Sequence, residues 1–167
     1  MKTGSQGHTL LFLCKCGENI SKYLDFSRIK EWLKKDRKVD ACITCNLLCS
    51  PNEKELFMKA LQHYSPIKSV IIAGCSPKQH EKTFQDLAEK AGVNMSKVQC
   101  ANIREHCAFV TKEPEEATEK AQYIINAAMK RSLEAEDLTK SSMKVNTDVV
   151  IIGGGIAGIE AALTISK

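Results

Sequence analysis

The stretch KSVIIAGCSPKQHEKTFQDLAEKAG, residues 68–92, reads as a strand followed by a helix. Residues 68–74 are apolar and β-branched almost throughout, the pattern of a strand buried on both faces of a parallel sheet. The run breaks at Cys75-Ser76-Pro77, and the spacing predicts a helix over 78–91 with Phe84, Leu87, Ala88 and Ala91 inward and Gly92 as its cap.

The same order recurs on either side. Residues 10–14 (LLFLC) form a short apolar run ending in Cys14-Lys15-Cys16-Gly17, a buried strand that breaks at the glycine. Residues 25–35 then place Phe26, Ile29, Trp32 and Leu33 at helical spacing. Residues 39–48 are apolar but interrupted by Cys42 and Cys45, and read either as a strand or as an irregular ligand-bearing loop. Residues 51–64 put Leu56, Phe57, Ala60, Leu61 and Tyr64 on one helix face, with Ser50 as N-cap and Pro51 at the first helical position. Beyond the opening stretch come a fourth strand over 98–103 and a long helix from Pro114 to about Glu136, striped by Ala117, Ala121, Ile124, Ile125 and Ala128. Repeated βα units imply an α/β fold: a parallel sheet of about four strands with flanking helices, joined by right-handed crossovers and binding ligands beyond the carboxyl ends of the strands. The polar segment 132–146 reads as a helix end running into a linker, which divides the chain into a cysteine-rich domain, 1–144, and a short second segment, 145–167.

Composition narrows the function classes. A chain of 167 residues with 26% charged and 43% apolar residues is long enough for one core and unlike a disordered polymer. The net charge of +4, from 24 Lys and Arg against 20 Asp and Glu, comes without any basic stretch interleaved with aromatics, which argues against a nucleic-acid face. The amino terminus, Lys2 followed by polar residues 3–9, precedes an apolar run too short for a signal-peptide core. The apolar stretch 149–165 is cut by three glycines and carries Glu160, so it is not a spanning helix. The expectation is a cytoplasmic protein without a membrane segment.

Eight cysteines then need a reason, and in a reducing compartment the reason is metal binding or thiol redox chemistry. Two are set in a repeat, Cys49-Ser50-Pro51 and Cys75-Ser76-Pro77. In each, Ser caps a helix, Pro sets its first turn, and the thiol stands before the N-terminus, where the macrodipole is expected to lower its pKa. The bland alternative is a helix start preceded by a small buried residue. Cys14 and Cys16, Cys49, Cys75, and Cys100 or Cys107 all fall at or just past the ends of predicted strands. In a parallel sheet those ends share one edge, so the thiolates would converge into a zinc or iron-sulfur site. The run Cys42-x2-Cys45-x3-Cys49 resembles the tail of a ferredoxin motif without its first cysteine, and packing cysteines are the other reading. His8, His63 and His80 read as surface residues. His106 reads as loop or as a donor to a cluster sulfur, and Arg104 as a solvated cation or as one that offsets cluster charge.

The last motif is Gly153-Gly154-Gly155-Ile156-Ala157-Gly158, preceded by the apolar residues 149–152 and followed by an alanine-rich helix start. This is the dinucleotide fingerprint in its strand-turn-helix setting: Gly153 gives the tight turn, Gly155 admits the pyrophosphate and Gly158 lets helix and strand pack closely. The acidic residue expected about 20 positions on falls past Lys167, so the segment reads as a truncated Rossmann-type βα start.

With those residues in view, the sequence resembles the amino-terminal region of the A-type subunit of heterodisulfide reductase. The likeness lies in FLCKCGENI (12–20), CSPKQHEKTF (75–84), NIREHC (102–107) and the glycine-motif segment 149–162. The resemblance implies an iron-sulfur flavoprotein whose first domain carries a 4Fe-4S cluster, followed by a thioredoxin-reductase-like FAD domain of which only the start is here. It implies electron bifurcation or confurcation in the full complex, other reductase subunits and an electron donor or acceptor protein as partners, and a homodimer. It points to Cys16, Cys49, Cys75 and Cys107 as cluster ligands, with Cys14 next in line, while the pair Cys42 and Cys45 departs from the family pattern.

The expectation is an electron-transfer domain with no catalytic residue of its own, relaying electrons between a cluster and FAD. A structural zinc module and a thiol-disulfide domain using Cys42 and Cys45 are the alternatives. The orphan apolar segment 149–165 is expected to drive dimerisation.

Overall fold

In the computed structural model, which describes residues 7–35 and 39–166, four strands alternate with helices. The polar residues before Gly7 and the terminal Lys167 lie outside the described residues. The order is β1 (His8–Cys14), α1 (Phe26–Lys35), β2 (Ala41–Cys45), α2 (Pro51–His63), β3 (Ile67–Gly74), α3 (Pro77–Lys90), β4 (Val98–Asn102), α4 (Pro114–Glu134) and α5 (Ile156–Ile165). All strand pairs are parallel, in the order β2-β1-β3-β4. The α/β architecture expected from the sequence is therefore the one formed. The ambiguous segment 39–48 resolves into strand β2 at the sheet edge, because the backbone of β1 pairs it from Leu10↔Ala41 to Cys14↔Cys45.

Period-2 alternation splits the apolar residues between two faces. Leu11, Leu13, Ile71, Ala73 and Ala101 pack with Ile29 and Leu33 of α1 and with Ala117, Ala121 and Ile125 of α4. Leu10, Phe12, Cys14, Val70 and Ile72 pack on the other face with Phe57 and Leu61 of α2 and Phe84 and Ala88 of α3. Phe57 is the hub of that second layer, its ring 4.7 Å from Phe12 and 5.3 Å from Phe84. Helix α4 is tied to the sheet by buried hydroxyls: Ser69 and Ser132 meet at 2.7 Å, and Ser132 donates to the Lys97 carbonyl at 2.6 Å.

Some local expectations change. Leu56 is 44% exposed, because α2 presents Phe57 and Leu61 to the sheet and turns Leu56 away. Ser50 caps α2 by accepting from the Glu53 amide, but Ser76 makes no side-chain cap bond to α3; only its carbonyl engages, accepting from the Gln79 amide. The chain after α4 stays attached past Leu138, whose backbone is gripped at both its N–H and its carbonyl by the Asn94 amide, to Lys140, which pairs with Glu89. Residues 147–152, expected as a strand, carry no strand pairing: a strand needs a hydrogen-bonded neighbour, and the four strands of the sheet pair only with one another. Helix α5 does form, without a single buried residue.

Two substitutions test this packing. Phe57→Ala should cost about 3–5 kcal/mol in urea unfolding, the usual cost of emptying a large aromatic site. Ser50→Ala should cost about 1 kcal/mol and Ser76→Ala clearly less, since only the first loses a cap bond.

Candidate metal centre

The chain leaves β1 toward β2 on one side and leaves β3 toward β4 on the other, so the carboxyl ends of β1 and β3 flank a topological switch point. A narrow cleft opens there, with a cavity volume of about 30 Å3. Five thiols line it: Cys14 at the end of β1, Cys16 in the following loop, Cys49 before α2, Cys75 between β3 and α3, and Cys100 in β4. Most of the rest of the wall is apolar, with Leu47, Leu48, Ile72 and Phe84.

Local backbone chemistry sets the thiols. Cys16 has φ 54° and Gly17 φ 65°, two successive left-handed residues that fold the chain back over the strand end. For a non-glycine residue that conformation costs on the order of 1–3 kcal/mol, so the surroundings must hold it. They do: the Lys15 and Gly17 amides donate to the carbonyls of Cys45 and Asn46 at 2.8 and 3.1 Å, and the Cys16 carbonyl accepts from Asn19.

The guanidinium of Arg104 reaches the same loop and donates to Cys16 Sγ at 3.0 Å. It is fixed by two hydrogen bonds to Glu105 Oε1, at 3.1 and 2.7 Å, and lies 5.6 Å from the centre of the Phe109 ring. Arg104 opens a π-helical turn, Arg104–Ala108, a distortion frequently found at functional sites. Its pKa is raised further by Glu105 and Cys16. Burial is the largest single influence on Glu105 and works against its ionisation, but the Arg104 hydrogen bond and charge together with backbone hydrogen bonds hold the carboxyl below its ordinary range. A fixed cation therefore stands against a cysteine sulfur, rather than waving in solvent.

The same turn carries Cys107 elsewhere. It is fully buried among Ala117, Ala121 and the other residues on the α1 and α4 face, and it does not line the cleft. Cys42 is half-buried on that face too, while Cys45 lies on the opposite one, so the alternation of β2 separates the pair that the sequence brackets as C-x2-C. Cys45 instead faces Cys14, its register partner on β1, and the two thiols hydrogen-bond. That bond lowers the pKa of Cys14 and raises that of Cys45.

The expected lowering at Cys75 is reversed: burial pushes its thiol up, with Arg104 acting in the other direction. Burial, the largest cause, pushes Cys100 up to about 12. His106 is exposed, whereas His80, read as a surface residue, lines the cleft. Its place one turn into the helix that follows Cys75 is the sign of this that the sequence carries.

Among the described residues no three His, Cys, Asp or Glu side chains gather around one ion position. A structural zinc ion needs four donors at about 2.3 Å from a single point for sulfur. A four-iron cluster is held by four thiolates, one on each iron. The donor set of soft sulfurs, apolar wall and one fixed cation fits such a cluster.

In the glycine motif, Gly153 has φ +111°, and a Cβ at Gly158 would run into the Gly153 carbonyl oxygen. Nothing lies within 4 Å of a Cβ built at Gly155, the N-cap of α5. The turn at Gly153 and the close approach at Gly158 are both ones that only glycine allows without strain or clash.

No protein-family model matches the chain. Curated proteins that resemble it include A-type subunits of heterodisulfide reductases. The chain is 39% identical over 157 residues to an iron-sulfur subunit of the CoB--CoM heterodisulfide reductase of Methanopyrus kandleri, covering 93% of this chain and 23% of that protein. It is 37% identical over 158 residues to the corresponding subunit of the ferredoxin:CoB-CoM heterodisulfide reductase of Methanosarcina mazei, covering 94% and 20%. It is 35% identical over 158 residues to that of the H(2):CoB-CoM heterodisulfide,ferredoxin reductase of Methanothermobacter marburgensis, covering 93% and 24%. The chain thus spans about a quarter or less of the length of these relatives. It belongs to the family of the A-type iron-sulfur subunits of heterodisulfide reductase and corresponds to their amino-terminal region.

Proposed function

We propose that this chain is an electron-transfer module that holds a 4Fe-4S cluster in the switch-point cleft. The observation that carries the reading is the lining itself, five thiols at one sheet edge with the Arg104 guanidinium donating to Cys16 Sγ. The cluster would supply reversible one-electron transfer. Cys16, Cys49 and Cys75 are its ligands, and Cys14, which lines the same cleft, is a better fourth than Cys107, which packs against α4. Cys100 stays a protonated packing residue. Arg104 compensates negative charge that the dry wall cannot solvate.

Gly153, Gly155 and Gly158 begin an FAD site completed by further chain, and the cluster exchanges electrons with that flavin. In the whole protein this serves electron bifurcation or confurcation, together with other heterodisulfide reductase subunits and a donor or acceptor protein such as a ferredoxin. The domain boundary falls near residue 144, past the Asn94–Leu138 clasp. Eight free thiols suit the reducing cytoplasm. The exposed apolar residues Val150, Ile152, Ile156 and Leu163 favour a homodimer of the chain as it stands.

Anaerobic protein should carry about four iron and four sulfide per chain, with a brown colour bleached by dithionite; about one zinc without sulfide would mean a structural module instead. Serine in place of Cys14, Cys16, Cys49 or Cys75 should lower the iron content, while Cys100→Ala and Cys107→Ala should retain it. Arg104→Gln should keep the iron and shift the cluster to a more negative potential in a redox titration, because hydrogen bonds to the sulfurs favour the reduced state. Removing residues 147–167 should convert dimer to monomer in light scattering.

A further inference from the structure

The cysteine pair that meets is not the one the sequence brackets. Cys14 and Cys45 are register partners at the carboxyl ends of β1 and β2, and both side chains belong to the cluster on the α2 and α3 face. Neighbouring strands run about 4.8 Å apart, inside the range of roughly 4.4–6.8 Å in Cα separation that a disulfide spans. Cys14 is 7% exposed and Cys45 3%, and Cys14 forms part of the wall of a cleft that a water-sized molecule can enter. Each of the other candidate ligands, Cys16, Cys49 and Cys75, lies outside the paired strands.

We propose that Cys14 and Cys45 form a reversible disulfide under peroxide, and that this bond withholds Cys14 from the cluster until a dithiol reduces it. The oxidant is hydrogen peroxide, scarcely larger than water. The Cys14 thiolate attacks one peroxide oxygen and becomes a sulfenic acid, releasing hydroxide. The Cys45 thiol then displaces the sulfenic oxygen as water and closes the S–S bond. In sum, two thiols and one peroxide give one disulfide and two waters; a dithiol reductant reverses this by exchange. The bond needs no metal, whereas its effect on loading rests on the cluster reading above.

The test uses the full chain, freed of iron by a chelator under reductant, exposed after removal of both to a small excess of hydrogen peroxide, then unfolded in guanidinium chloride, alkylated with N-ethylmaleimide and mapped by peptide fragmentation. The expected map joins Cys14 to Cys45 and leaves the other cysteines alkylated, with dithiothreitol restoring both thiols. Cys42→Ala should leave the link intact and Cys45→Ala should abolish it. A link from Cys14 to Cys16, Cys49 or Cys75, or over-oxidation of Cys14 with no link, overturns the pair; this is read on the unaltered chain, so it does not depend on how a variant folds. In the second arm, oxidised protein should take up iron and sulfide only after dithiothreitol. Equal uptake by oxidised and reduced protein overturns the gate. If reduced protein takes up none, the cluster reading has failed and the peptide map still judges the pair.

Discussion

The parallel register of β1 between β2 and β3 is the constraint on which the rest of this molecule depends. With Leu13 opposite Ala73 and Cys14 opposite Cys45, the three strands end together, and the loops that follow them must share the space beyond. A slip of one residue would turn Cys14 from the α2 and α3 face to the α1 and α4 face and carry Leu10 and Phe12 with it. The apolar content of β1, with every residue from Thr9 to Cys14 buried, makes that slip expensive on both faces at once. The register that protects the core is thus also what aims the thiols.

Much of the fold was legible because buried parallel strands announce themselves. The 70–73 run of β3 and the 10–13 run of β1 can hardly be anything else, and the helices between them show their stripes. Strand β2 was ambiguous for a physical reason: it is an edge strand, mostly half-buried, and its Cys42, Thr44 and Cys45 lack the uniform hydrophobicity that burial on two faces imposes. Strand ends alone imply a convergence of thiols, and Cys14, Cys16, Cys49 and Cys75 line one cleft. Cys107 is elsewhere, its direction decided by a π-helical turn that no periodicity reveals. At Cys75 desolvation of a half-buried thiol is the largest influence and pushes its pKa up, with the Arg104 charge opposing it.

Arg104 illustrates a second limit of sequence reasoning. From sequence an arginine in a loop is a solvated charge. Here its guanidinium is shared between Glu105, the Phe109 ring and the sulfur of a cysteine 88 residues away in the chain, with its side chain only 22% exposed. Each contact alone is modest, but together they remove its freedom to move, so the charge acts at one place. A fixed cation next to a sulfur in an apolar wall has a larger electrostatic effect than the same cation in water, because little solvent screens it.

Cys14 stands where these forces meet. Its neighbour across β1 and β2 is a thiol, and beyond it lies the cleft; it can therefore share electrons with a metal or with Cys45, but not with both at once. Most cysteines in this chain have one environment and one plausible fate: Cys107 packs, Cys100 stays protonated, and Cys16 faces Arg104. A residue with two mutually exclusive bonding partners is a branch point. Because the β ladder holds Cys14 and Cys45 adjacent whatever fills the cleft, oxidation would need no rearrangement of the core and reduction no refolding, so the choice between the two bonds follows the thiol redox balance of the surroundings.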